Sequence, residues 1–156
     1  MQQKLDASLK KPDLDARLRL YVYGFFVDRG RAPLVAEMAK WLSSSVRDAK
    51  AALERLSQTH AFVLQENGEL WRAAPFSAVP TAFRAKIGRK SWYGNCIWDA
   101  LGITAMLHDD ARVDASCGCC NFEMVLNVRD GHLLPREGIG HFAVPACQWY
   151  QDIVFT

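Results

Sequence analysis

The sequence predicts an α+β protein: an N-terminal winged-helix unit of three helices and a β-hairpin over residues 1–80, then a small mixed β-sheet with helices over residues 81–156. Three observations predict it. Apolar residues recur at spacings of three and four between Leu18 and Leu56, as on helices that bury one face. The period then changes to short alternating runs around Asn67-Gly68, a dipeptide suited to the left-handed backbone of a tight hairpin turn. Alternating runs return after Ala111. With 156 residues, 50% of them apolar, the chain can bury a core of ordinary size.

Residues 1–14 are polar and read as a lead-in. Asp15 caps a helix to about Asp28, with Leu18, Tyr21, Val22, Phe25 and Phe26 on its buried face. Pro33 suits the first turn of a second helix, Leu34 to Leu42, with Met38, Trp41 and Leu42 inward. Ser43-Ser44-Ser45 separates it from a third, Val46 to about Gln58, lined by Val46, Ala49, Leu53 and Leu56. Residues 61–66 and 69–73 form the hairpin. Ala74 to Pro80 reads as an extended connector, because its prolines disfavour helix. Ala82 to Arg89 reads as a short basic helix. Residues 111–117 and 122–128 are strands joined by a turn at Cys117-Gly-Cys-Cys-Asn121, and Asp130-Gly131 turns into a strand at Leu133-Leu134. Residues 140–144 are a further strand, and Ala146 to Phe155 a closing helix.

The chain is organised around Ser91-Trp-Tyr-Gly-Asn-Cys96-Ile-Trp-Asp99-Ala-Leu-Gly-Ile103, read as the start of a helix with Gly94 and Asn95 as turn and N-cap. Cys96 and Asp99, three residues apart, then share one face of the first turn. A helix N-terminus favours a thiolate, and a neighbouring carboxylate opposes it. Both cannot be anions in a dry site, so one holds a proton. The result is a sulfur for a soft electrophile beside a carboxyl able to donate a proton. Trp92, Tyr93 and Trp98 offer apolar walls that raise the acid's pKa.

Composition narrows the function classes. Nineteen basic and seventeen acidic residues leave a net charge of +2, which argues against affinity built on phosphate neutralisation. The third helix carries Arg47, Lys50 and Arg55 but also Asp48 and Glu54, a mixed face that makes DNA an unfavoured partner. No apolar run approaches the ~18 residues of a membrane span, and the first residues lack the apolar core of a secretory signal. Five cysteines, an odd and clustered set, fit a reducing cytoplasm better than a disulfide framework. Cys117 is expected to be buried structure, and Cys119 or Cys120 is a candidate soft-metal ligand. The role of Cys147 stays open. His60, His108, His132 and His141 show no ligand spacing.

Asn95-Cys96-Ile-Trp98-Asp99-Ala-Leu101-Gly102-Ile103 closely resembles the active-site helix of the organomercurial (alkylmercury) lyases. The likeness extends to Ser116-Cys-Gly-Cys119, His141-Phe-Ala-Val-Pro145 and Asp152-Ile-Val-Phe155, and the N-terminal helices and hairpin look like that family's winged-helix domain. The resemblance implies protonolysis of a carbon–mercury bond, releasing a hydrocarbon and Hg(II). It assigns Cys96 as a mercury-capturing thiolate, Asp99 as proton donor and oxygen ligand, and Cys117 as a structural cysteine. It implies an organomercurial substrate, no organic cofactor, and small thiols or a mercuric reductase as acceptor of the ion.

One departure matters. The family's second catalytic cysteine follows the segment matching residues 152–155, and here Thr156 is the last residue. The first expectation is a catalytic domain lacking its C-terminal end, and the second is that Cys119 or Cys120 substitutes. Two readings of other classes remain: a non-catalytic thiol protein that sequesters mercury or another soft metal, and a metal-responsive winged-helix regulator.

Overall fold

Helix α1 (Leu14–Arg29) buries Leu18, Val22 and Phe26, one residue per turn, against the two helices that follow. A computed structural model describes residues 14–135, 137–142 and 144–151; the expected lead-in and the segment 152–155 lie outside these. Helix α2 (Val35–Leu42) starts one residue later than the sequence suggests, because Leu34 is its N-cap and Pro33 sits buried before it. The Leu34 N–H donates to Glu37 Oε2 at 2.8 Å, and Arg31 grips the same carboxylate through two bonds of 2.8 Å. The guanidinium, with help from that N–H, holds Glu37 down to a pKa of about 2. Helix α3 (Val46–Gln58) is capped by Ser45, whose hydroxyl accepts the Asp48 N–H at 3.1 Å.

Two expected core residues lie outside. Trp41 is 43% exposed and stacks on Tyr21 at 4.5 Å, since Val35, Met38, Ala39 and Leu42 already fill the inner face of α2. Val46 is 50% exposed, opening α3 among exposed Ser45, Arg47 and Asp48, and Ala52 completes the inner face instead.

Strands β1 (Val63–Leu64) and β2 (Leu70–Ala73) form the expected hairpin, with Gly68 at φ +81° in its turn. The chain then departs from expectation. The connector contains β3 (Phe76–Ser77), and the basic segment is β4 (Arg84–Ile87), not a helix. A tight turn at Gly88 leads into β5 (Lys90–Gly94), so residues 91–94 are strand and not helix. Helix α4 (Ile97–Leu107) follows, then β6 (Ala111–Ser116), β7 (Glu123–Arg129) and β8 (His132–Leu134). The described residues among 140–144 form no strand, and the closing helix is a 3₁₀ segment over Ala146–Gln151.

All eight strands join one antiparallel sheet in the order β1-β2-β3-β5-β4-β6-β7-β8. The hairpin is therefore continued by β3 along its second strand. Cross-strand partners explain β4. Arg84 donates to Ser91 Oγ at 2.7 Å, Lys86 pairs with Asp114, and Ala85 alone is fully buried. These cross-strand pairings, one across the tight β4–β5 turn and one with β6, override the local helix signal.

The helices dock on the sheet through aromatic residues. Phe26 of α1 stacks on Phe76 of β3, with ring centroids 4.9 Å apart. The Trp92 indole N–H donates to the Phe26 carbonyl at 2.6 Å. Gly30 ends α1 at φ +70°, where a Cβ would lie 2.9 Å from the Ser91 carbonyl oxygen. Phe76 is 0% exposed. Phe76→Ala is expected to cost about 3–5 kcal/mol, the range for emptying a core phenylalanine site. Urea unfolding followed by circular dichroism checks this.

Candidate active site

Between the last residue of β5 and the first of α4 lie only Asn95 and Cys96. Gly94 makes this short crossing possible: a Cβ there would sit 2.5 Å from the backbone nitrogen of Ala100. The strand end and the first helical turn are thus pressed together. Cys96 takes the N-cap position in extended backbone, φ −146° and ψ −178°, and its carbonyl accepts the Ala100 N–H at 3.0 Å. The expected cap, Asn95, is one residue earlier, and Cys96 is the cap and not a first-turn residue.

Cys96 and Asp99 therefore stand at the N-cap and N3 positions, the spacing of a capping box. The backbone N–H groups of Trp98 and Asp99 favour a charge on the sulfur, although no cap hydrogen bond is closed. Asp99 Oδ2 accepts the Asn95 side-chain N–H at 2.8 Å. The same Asn95 nitrogen lies 3.5 Å from the Phe76 carbonyl, and Asn95 Oδ1 is buried with no hydrogen-bond partner.

Burial dominates the electrostatics. It pushes the Cys96 thiol above its ordinary pKa, with the Asp99 carboxylate adding to the rise and the Asp99 and Trp98 N–H groups and Arg72 opposing it. It also pushes Asp99 above the usual aspartate range, against the Asn95 side-chain and backbone N–H groups and Arg72. The sequence-based expectation of a thiolate favoured by the helix terminus is reversed here: desolvation outweighs the orphan N–H groups. Both shifts run toward the protonated forms, the thiol and the carboxylic acid. A soft cation that replaces the thiol proton removes the cost of an uncompensated buried thiolate.

The three expected aromatic walls separate. Trp92 belongs to the core tie with α1, and Tyr93 is half-buried beneath the Arg84 guanidinium, 5.5 Å from its ring centroid. Trp98 is 65% exposed and borders an open apolar hollow of about 520 Å³, shared with Phe142, Pro145 and Trp149. His141 also lines it, and the other three histidines stand elsewhere, exposed.

All five cysteines are free. Cys117, expected to be buried, is half-buried at the end of β6, while Cys119, Cys120 and Cys147 are exposed. The N–H groups of Cys119 and Cys120 and the Cys120 thiol all lower the Cys117 pKa. Among the described residues no group of three or more Cys, His, Asp or Glu is arranged to hold a metal ion, and no helix is long and apolar enough to cross a membrane.

Sequence reasoning missed Arg72. It belongs to β2 and reaches the charge balance of Cys96 and Asp99 only because β2, β3 and β5 are sheet neighbours. No local signal in the sequence marks it. Asn95 was legible as a turn residue but not as the partner of Asp99.

A family model described as alkylmercury lyase, MerB, matches residues 76–156. Among solved structures, the mercury-bound form of MerB2 superposes with a TM-score of 0.62 at 18% identity, a likeness of fold, over 80% of this chain and 60% of that one. The chain thus spans 60% of the length of that protein. No curated protein matches it.

Proposed function

The chain belongs to the alkylmercury lyase family, and from that premise we propose that it cleaves the carbon–mercury bond of organomercurials by protonolysis, with Cys96 as the capturing thiol and Asp99 as the proton donor. The observation that carries the reading is the placement of a half-buried carboxyl, its pKa raised by desolvation, three residues from a half-buried thiol at one helix terminus.

In the first step the Cys96 sulfur displaces the leaving group X from R–Hg–X, forming Cys96–S–Hg–R, and the thiol proton leaves as HX. In the second, the Asp99 carboxyl proton passes to the carbon as the carbon–mercury bond breaks. R–H departs, and mercury is left between the Cys96 sulfur and the Asp99 carboxylate. Two small-thiol molecules then carry the ion away as a bis-thiolate, and their two protons restore Cys96 and Asp99. The chemistry needs no organic cofactor. Mercuric ion is the product, and small thiols or a mercuric reductase in a reducing cytoplasm are the acceptors. The Trp98–Phe142–Trp149 hollow offers an apolar seat for the hydrocarbon group R.

A metal-responsive DNA regulator has weaker support. Lys50 donates to the Asn67 carbonyl at 3.1 Å and Arg55 pairs with Asp15 at 2.6 Å, so two of the three α3 cations are engaged within the fold.

The test is benzene release from phenylmercury by the reduced protein in excess small thiol, followed by gas chromatography beside Cys96→Ser. Continued release that stops in the variant is the expected result. Tight retention of mercury without benzene would instead identify a thiol trap.

A further inference from the structure

We propose that Cys117 and Cys120 form a second site, a two-thiol clamp for a thiophilic cation that prefers linear coordination, at the same end of the sheet's strands as Cys96. Nothing in the proposed reaction uses these two residues.

The turn after β6 builds the pair. The Asn121 N–H donates to the Cys117 carbonyl at 2.8 Å, the Cys117 N–H donates to the Phe122 carbonyl at 2.9 Å, and Asn121 takes the left-handed conformation at φ +55°. This closure folds Cys-x-x-Cys back on itself. The closed turn brings Cys120 back toward Cys117, and the Cys120 thiol and the N–H groups of Cys119 and Cys120 favour the Cys117 thiolate. Several donors around one sulfur make a nest for a thiolate, and the second thiol is already beside it. Cys119 contributes its N–H to this nest.

Register places the clamp near the proposed site. Both β5 and β6 flank β4 and run antiparallel to it, with Tyr93 and Asp114 both opposite Arg84. Cys96 lies three residues beyond Tyr93, and Cys117 three beyond Asp114. The chain therefore leaves β5 toward Cys96 and β6 toward Cys117 at the same end of the sheet's strands, with β4 between them.

The ligand class follows from the donor set. Two sulfurs, with no third Cys, His, Asp or Glu grouped with them among the described residues, suit Hg(II) and not a four-coordinate ion such as Zn(II). Loading from a small-thiol complex balances as a double exchange: two protein thiols replace two small thiolates on mercury, and their protons leave on the small thiols. No oxidant is involved.

The experiment uses the reduced full chain carrying Cys96→Ser, so that a failure of the clamp and a failure of the lyase reading are separate results. The probe is mercuric chloride in excess glutathione, with retained mercury measured after desalting and each thiol mapped by alkylation. One retained ion per chain, with Cys117 and Cys120 protected and Cys119 and Cys147 reactive, is expected. Adding Cys117→Ser or Cys120→Ser should weaken retention by about 10²-fold, the loss of one arm of a two-point attachment. Cys119→Ser should leave retention unchanged. Retention unaffected by Cys120→Ser, protection of Cys119 in place of Cys120, or Zn(II) held as tightly as Hg(II) would overturn the proposal.

Discussion

Asp99→Asn is expected to leave mercury capture by Cys96 intact and to lower benzene release by about 10²–10⁴-fold, the span of a positioned general acid. The amide keeps the size and polarity of the carboxyl but has no proton to give the departing carbon. The wild-type rate should fall as pH rises through the Asp99 pKa, which burial sets above the usual aspartate range. Asn95 tunes that limit. Its side-chain N–H, 2.8 Å from Asp99 Oδ2, favours the ionised form, so Asn95→Leu should move the falling limb to higher pH. A purely structural loss would lower the rate without moving the limb.

Stability gives an independent reading of the same carboxyl. Its folded pKa lies above its unfolded value, so its favourable contribution is complete below the unfolded pKa and is lost as pH rises through the folded one. Asp99→Asn should therefore raise the melting temperature at neutral pH, and that gain should vanish in acid below the ordinary aspartate pKa. Undiminished benzene release by Asp99→Asn would mean that the proton comes from another group.

What was legible in the sequence was what is local. Helices α1 to α3 show in apolar spacing, the first hairpin in Asn67-Gly68, and β6 to β8 in alternation and in Asp130-Gly131. The Cys96–Asp99 pair shows for the same reason, since the two are only three residues apart. What stayed hidden depends on cross-strand partners. Strand β3 is two residues long beside a proline, and it exists because Phe76 meets Gly94 and Ser77 meets Tyr93. Strand β4 carries charges whose partners are Ser91 and Asp114. Arg72 comes to the site across that same unpredicted pairing. The upward shift of the Cys96 thiol is hidden for a related reason: burial is a property of the packed sheet, and it outweighs a helix-terminus effect readable from spacing alone.

Gly94 joins these levels, and its substitution tests fold and site together. A Cβ at this position would stand 2.5 Å from the nitrogen and 2.9 Å from the Cα of Ala100, so the clash is with helix backbone that no rotamer change relieves. Gly94 cannot retreat easily either. Its N–H donates to the Phe83 carbonyl at 2.9 Å, and its carbonyl accepts the Thr81 hydroxyl at 2.6 Å. Gly94→Ala should therefore reach the upper end of overpacking costs, about 3 kcal/mol, and push the first turn of α4 away from β5. Cys96 and Asp99 ride on that turn, so benzene release should fall even at temperatures where the variant is fully folded. Gly102→Ala, on the same helix, is the counterpart. Its Cβ would meet Pro75 at 3.7 Å, an ordinary contact, and alanine in place of glycine within a helix should stabilise by about 0.5–1 kcal/mol. Thermal melts of the two variants, with activity measured well below both midpoints, separate close approach at the strand–helix junction from general tolerance of the helix. Equal behaviour of the two would show that the spacing of β5 and α4 does not hold the site together.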